Sequence, residues 1–311
     1  AAPGGLGLVD DAAILTPPAG HDLVLSKDAL VADVHFFADD PPEAIARKAL
    51  RVNLSDLAAK GARPLGFLLG LGLPAEWDEE WLAAFARGLG ADAEAYACPL
   101  LGGDTVAGKE RLFLSVTVIG TVPTATMVRR AGGRAGDRLF VTGTIGDAAI
   151  GLKVILAEHA ARRGWMPDAA DRAYVIDRYR LPQPRNALAE AVRSHASAAM
   201  DVSDGLVGDA RKLATASGCG LEIDLSSVPL SPPVARAVAI DPGLLRTAVT
   251  GGDDYEILCA IPGEHVAAFR AAAGQVGVTV AEIGALTTAG ERITGRDGAL
   301  ADLGCGSLRH F

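Results

Sequence analysis

The segment PPEAIARKALRVNLSDLAAKGARPLGFLLGL, residues 41–71, decides the fold. Its first part repeats apolar residues at helical spacing, with proline in the opening turn, and predicts a helix over Pro41–Gly61. Its second part, Leu65–Leu71, is a short apolar run with Gly/Pro boundaries, which reads as a buried strand. The apolar stretch ends at Pro74, far short of the roughly 18 residues a membrane span needs. A helix running into a strand is the repeating unit of an α/β chain.

The same alternation extends to both sides. Asp22–Lys27 and Leu112–Ile119 read as strands, and Asp78–Ala97 as a helix opened by Trp77-Asp78. A glycine-rich hinge, Gly132-Gly133-Arg134-Ala135-Gly136-Asp137, precedes a fresh strand at Arg138–Thr142. Beyond it, Ile145–Arg163, Asn186–Ala196 and Asp204–Ala216 are predicted helices, and Leu221–Leu225, Glu256–Ile261 and Val278–Ile283 predicted strands. Arg162–Asp171 is expected to form a loop and Pro182–Pro184 a turn. At 311 residues the chain exceeds the usual size of one domain, so two α/β domains are expected, 1–127 and 128–311.

Half the residues are apolar and the formal net charge is −9, which argues against nucleic acid as a partner. Phosphorylated ligands remain open to so acidic a chain if cations sit between carboxylate and phosphate. Cys98, Cys219, Cys259 and Cys305 lie far apart without a C-x-x-C pair, which argues against a disulfide framework or structural zinc and for the reducing cytoplasm. No signal peptide opens the chain and no membrane partner is expected. The first chemical motif stands already at Asp10, so further residues are expected to precede Ala1.

Aspartates recur in short, small-residue contexts: Asp10-Asp11, Ser26-Lys27-Asp28, Asn53-Leu54-Ser55-Asp56, Gly102-Gly103-Asp104-Thr105 and Asp201-Val202-Ser203-Asp204-Gly205. Each alone reads as a turn or helix cap. Together they are harder to explain that way. Asn53 and Asp56 share a helix face beside the apolar stripe, where an unpartnered carboxylate is costly and a metal ion is the usual remedy. Hard oxygen ligands without His or Cys favour magnesium or calcium, and magnesium points to phosphoryl transfer. Gly102-Gly103 would let backbone approach a phosphate, and Arg130 offers a planar fork for phosphate oxygens, with Arg129 its rival.

Two decoys are set aside. Gly103–Glu110 nearly matches a P-loop, but Glu110 replaces the magnesium-binding hydroxyl and a strand follows where a helix is required. Gly143-Thr144-Ile145-Gly146 is too short a signal to rank above an ordinary helix start. Of the histidines, His21, His159, His195 and His265 read as isolated, whereas His35, seven residues after Asp28, reads equally as a residue aimed at a ligand and as a structurally buried one.

With Asp33-Val34-His35-Phe36, Arg130-Ala131-Gly132, Gly252-Asp253-Asp254-Tyr255-Glu256 and His310-Phe311 added in order, the chain resembles the thiamine-monophosphate kinase family. That family belongs to the superfamily of aminoimidazole ribonucleotide synthetase and selenophosphate synthetase. The resemblance implies an N-terminal domain whose sheet pairs across a homodimer, a C-terminal α+β-type domain, and ATP bound between the domains. It implies direct transfer of the γ-phosphate of ATP to thiamine monophosphate with several Mg2+ ions. Asp10, Ser26, Asp28, Asp56, Asp104, Asp201 and Asp204 would be magnesium ligands, with Asp28, Asp56 and Asp204 nearest the chemistry. Gly103, Asp104, Arg130 and Ser203 would contact ATP, and His35 and Asp253 the substrate. Three residues depart from the family pattern: Lys27 for a small hydroxyl residue, Asp253 for Glu, and Leu308 for an aromatic. The rival readings are a related ATP-dependent synthetase, which would need a catalytic Cys or Lys near the N-terminus, and an inactive nucleotide- or thiamine-phosphate-binding protein.

Overall fold

A computed structural model describes residues 3–108, 110–160, 166, 168–304 and 306–307. It divides into two compact units, one formed by Ala1–Leu57 with Ala62–Met127, the other by Ala58–Gly61 with Val128–Phe311.

In the first unit, strands β1 (His21–Val31), β2 (Arg63–Leu73), β3 (Leu100–Ala107) and β4 (Phe113–Pro123) form a sheet in the order β1-β4-β2-β3. The β1–β4 and β4–β2 pairs are antiparallel, and β2–β3 is parallel. Helix α1 (Pro42–Ala59) follows β1, and α2 (Glu79–Ala95) connects β2 to β3. Asp78 caps α2, its side chain accepting from the Trp81 N–H at 2.7 Å. On α1, Ile45, Leu50, Leu54 and Leu57 are buried, as are Leu114, Val116 and Val118 at alternate positions of β4. At Gly88 a Cβ would overlap the Glu43 carbonyl oxygen, so only glycine lets α2 lie this close to α1. The other sheet face is open: Leu23, Leu25, Leu68, Val106 and Phe113 are exposed, Leu25 by 63%.

The second unit carries β5 (Arg138–Thr142), β6 (Ala198–Val202), β7 (Gly220–Asp224), β8 (Glu256–Ile261), β9 (Val280–Thr287) and β10 (Glu291–Thr294), in the order β10-β7-β9-β5-β8-β6. All neighbours are antiparallel except the β10–β7 pair. Its helices are α3 (Asp147–His159), α4 (Ala169–Arg180), α5 (Ala189–His195), α6 (Leu206–Ala216), α7 (Pro232–Ile240), α8 (Leu244–Thr250) and α9 (Val266–Gln275). Leu206, Val207 and Leu213 of α6 pack with Leu139, Val141 and Leu258 of the sheet. The alternate sheet residues Phe140, Ile257 and Cys259 pack with Val192 and Phe269, the Phe140 and Phe269 rings meeting edge-on at 5.6 Å. Among the described residues no helix is long and apolar enough to cross a membrane.

The mixed α/β class agrees with the sequence reading. The expected loop at Arg162–Asp171 does not extend to Asp171, because Asp168 caps α4 and Ala169–Asp171 form its first turn. Residues 161–165 and 167 lie outside the described residues, as do Leu308, His310 and Phe311.

Candidate active site

In the first unit, β1 points Val24, Ser26, Asp28 and Leu30 inward, and α1 presents Asn53 and Asp56 to the same region. The Ser26 hydroxyl donates to Asp56 Oδ2. The Asp28 N–H donates to Asn53 Oδ1 at 3.0 Å, while Asn53 Nδ2 donates to the Ala49 carbonyl at 3.0 Å. Fully buried Asn53 thus ties strand to helix and fixes the spacing between Asp28 and Asp56. Burial first, and the neighbouring Asp56 charge second, raise the Asp28 carboxyl to about 6. Two carboxylates and a hydroxyl with unrelieved repulsion fit a hard divalent cation whose remaining positions are filled by water and phosphate. Among the described residues, however, no three His, Cys, Asp or Glu side chains form a metal-binding group by themselves.

Lys27, flanked by these ligand candidates, alternates to the open sheet face and is exposed. Asp10 and Asp104 are brought together elsewhere in this unit, lining a cavity of about 610 Å³ with Asp11, Gly102, Gly103 and Thr105. Asp28 and Asp56 do not line it. Gly103 has a packing reason as well: a Cβ there would overlap the Leu69 carbonyl oxygen of β2. Gly102-Gly103-Asp104 lies within β3, and β4 follows, so among the described residues no P-loop helix stands here. His35 follows β1 in a turn where Asp33 has φ 64°, and its Nδ1 accepts from the Val31 N–H at 3.1 Å, which puts the ring proton on Nε2.

In the second unit, buried Asp201 is the penultimate residue of β6, and beyond Val202 the chain passes through Ser203, Asp204 and Gly205 into α6. Asp209, fully buried on the first turn of α6, accepts from the backbone N–H groups of Ser203 and Asp204, both at 3.0 Å. Its other oxygen accepts from Lys212 Nζ at 2.8 Å, and the same ammonium binds Asp204 Oδ2. Burial raises the Asp209 carboxyl, with Lys212 and the Asp204 N–H opposing the rise. Burial works to lower the Lys212 ammonium, but Asp204 and Asp209 outweigh it and hold the ammonium above its usual range.

The segment Gly251–Tyr255 runs against this turn. Asp253 N–H donates to the Ser203 carbonyl at 2.9 Å and Tyr255 N–H to the Val202 carbonyl at 2.8 Å. A Cβ at Gly252 would overlap the Ser203 carbonyl oxygen, and one at Gly205 would stand 2.6 Å from the Thr250 carbonyl oxygen. Asp253 itself has φ 69° and lines a largely apolar cavity of about 210 Å³ with Leu152, Leu156, Lys153 and Tyr179.

Its neighbours hold this segment in place. Buried Asp254 accepts from Gly146 N–H at 2.8 Å and Ala148 N–H at 3.3 Å. An internal carboxylate therefore already fills the anion position at the N-terminus of α3, the helix start that Gly143–Gly146 signalled. Glu256, fully buried, accepts from Arg178 at 3.0 Å and from Arg185 at 2.6 and 2.5 Å. Arg130 is exposed, its carbonyl accepting from Ser217 Oγ at 3.4 Å. His195 and His265 are not isolated as expected: their rings stand 5.8 Å apart, and His265 Nδ1 meets the His195 carbonyl at 3.2 Å.

The residues the sequence reading missed are Asp209 and Lys212. Their i, i+3 spacing after the Asp204 motif is the signal that could have found them.

The chain matches the model of the AIR synthase related protein N-terminal domain over residues 9–122 and that of its C-terminal domain over 134–296. It is 46% identical to a thiamine-monophosphate kinase of Caulobacter vibrioides over 285 residues, 91% of this chain and 78% of that protein. The crystal structure of thiamine-monophosphate kinase from Stenotrophomonas maltophilia K279a is 36% identical and superposes with a TM-score of 0.85, covering 95% of this chain and 91% of that one. AaThiL complexed with AMPPCP and TMP is 32% identical with a TM-score of 0.79, covering 94% and 89%. At this identity and coverage, the chain belongs to the thiamine-monophosphate kinase family of AIR synthase related proteins.

Proposed function

We propose that the chain transfers the γ-phosphoryl group of ATP to the phosphate of thiamine monophosphate, giving thiamine diphosphate and ADP in one in-line step. A phosphate oxygen of the acceptor forms the new P–O bond as the bond from the γ-phosphorus to the β,γ-bridging oxygen breaks. The family relationship supports this reaction, as does the relative solved with AMPPCP and TMP. The observation in this chain that carries the site assignment is the convergence of Ser26, Asp28 and Asp56 from β1 and α1.

Magnesium ions, when bound, neutralise phosphate charge and stabilise the leaving ADP. Asp10, Ser26, Asp28, Asp56, Asp104, Asp201 and Asp204 would hold them, with Asp28, Asp56 and Asp204 catalytic. Gly103, Asp104, Arg130 and Ser203 would position ATP. His35, with its proton on Nε2, would donate to the acceptor, and Asp253 would orient it beside the apolar cavity. Residues 1–127 serve in this reading as the metal, ATP and dimerisation domain, and 128–311 as the second domain. The open face bearing Leu23, Leu25, Leu68 and Phe113 supports homodimer formation through the first sheet. Buried free thiols at Cys98 and Cys259 support a cytoplasmic location.

Lys27 supports the kinase over the synthetase and the inactive protein, because it projects from the face opposite Ser26 and Asp28. The deciding experiment is coupled ADP release with ATP and Mg2+, comparing thiamine monophosphate, thiamine and no acceptor. ADP formed only with the monophosphate, together with thiamine diphosphate, is the expected result. Acceptor-independent ADP, or none from folded protein, would overturn the assignment.

A further inference from the structure

Helix α6 sets Lys212 one turn beyond Asp209, and its ammonium bridges Asp209 and Asp204. The three groups differ in freedom. Asp209 is fully buried, with both oxygens engaged by the Ser203 and Asp204 N–H groups and by Lys212. It is a fixed anchor. The Lys212 and Asp204 side chains are 37% and 38% exposed, so water and ions reach that pair directly. An Asp204 oxygen held by an ammonium cannot offer the same lone pair to a metal ion, and a metal ion beside an ammonium is repelled by it.

We propose that Lys212 is a built-in competitor for the divalent cation at Asp204. In the metal-free chain its ammonium holds the Asp204 carboxylate in place, and it withdraws from Asp204, keeping Asp209, when a divalent ion binds. The inference rests on the reading of Asp204 as a metal ligand. Its consequence is an order of binding: at this locus the ion loads with the nucleotide, whose phosphates supply the negative charge that outweighs the ammonium. Lys212 is thus a positioning residue that weakens metal binding at Asp204 until the ATP phosphates arrive.

The test is Mn2+ binding to the full chain without nucleotide, followed by electron paramagnetic resonance, for wild type, Lys212→Met and Asp204→Asn. Lys212→Met is expected to tighten one Mn2+ ion by about tenfold, the order expected when one partly exposed charge beside a divalent ion is removed. Asp204→Asn is expected to lose that ion. An unchanged Kd in Lys212→Met, with the ion lost in Asp204→Asn, overturns the role of Lys212 and leaves the kinase reading standing. Equal Mn2+ binding by Asp204→Asn and wild type overturns Asp204 as a ligand, and this inference with it. If Lys212→Met fails to fold, the unaltered chain decides. Acylation of Lys212 by a water-soluble succinimidyl ester, read by mass spectrometry, should accelerate once Mn2+ is saturating, and an unchanged rate overturns the proposal.

Discussion

The acidic groups of the two units solve the same electrostatic problem in opposite ways. In the first unit, Asp56 accepts from the Ser26 hydroxyl and the Asp28 backbone N–H donates to Asn53, while burial first and the Asp56 charge second raise the Asp28 carboxyl. In the second unit, Asp204 and Asp209 share an ammonium, and two backbone N–H groups complete Asp209. One group stores repulsion until a cation relieves it; the other carries its own cation. Charge-removing substitutions should therefore have opposite signs of effect on stability in the two places, while both harm catalysis.

The largest effect is expected at Asp204. Asp204→Asn keeps the shape and removes a proposed metal ligand, so kcat should fall by at least about 10³-fold. The melting temperature, read by circular dichroism, should stay within a few degrees of wild type because Asp204 is partly exposed. Near-wild-type turnover would break the assignment of the second group to the metal site.

Asp209→Ala should act through folding. It strands the Ser203 and Asp204 N–H groups and half of the Lys212 ion pair, a loss of about 2–4 kcal/mol in chemical denaturation. The upper end of the buried-pair range is not expected, because Lys212 is partly exposed.

Asp28→Asn sharpens the contrast, since in metal-free protein it should stabilise. The folded Asp28 carboxyl keeps its proton up to about 6, whereas its unperturbed value is 3.8, so folding takes up a proton between these values. The contribution of this group is complete below the lower pH and lost as the pH rises through 6. At pH 7 with EDTA, Asp28→Asn should gain about 1–2 kcal/mol, less than the bare shift implies because water still reaches the site. It should also flatten the stability profile between pH 4 and 6. A loss of stability at pH 7 would show that Asp28 and Asp56 do not repel.

The legible parts of the chain were those whose burial leaves a period. Helix α1 carries its apolar stripe beside Asn53 and Asp56, and β8 is a run of six buried residues, so both stand out from composition alone. Strand β3 did not, because Gly102-Gly103-Asp104 lies on an exposed edge and resembles a phosphate loop more than a ladder. Helix α4 was hidden by its polarity: Ala169–Arg180 buries Asp171 and Arg178 as well as Val175 and Tyr179. Strand β6, Ala198–Val202, is too short and alanine-rich to register. In the site, motif aspartates were visible because they sit in turns, whereas Asp209 and Lys212 look like ordinary surface charges of a helix. Their i, i+3 spacing is readable in the sequence, but the contacts that set them apart from such charges come from the fold of the turn before α6.

The smallest effect is expected at Lys27, and its smallness is informative. A lysine between Ser26 and Asp28 invites the idea that its ammonium does for the first group what Lys212 does for the second. Strand alternation forbids it: Ser26 and Asp28 point toward α1, while Lys27 stands with Leu23 and Leu25 on the open face, its backbone opposite Thr117 of β4. Lys27→Thr should leave kcat/KM within about twofold, since a lone exposed charge on the far face is well screened. It should leave the Mg2+ dependence unchanged as well. A tenfold change in either would mean that the ammonium reaches the carboxylates after all, and the contrast between a group without a cation and a group with one would collapse.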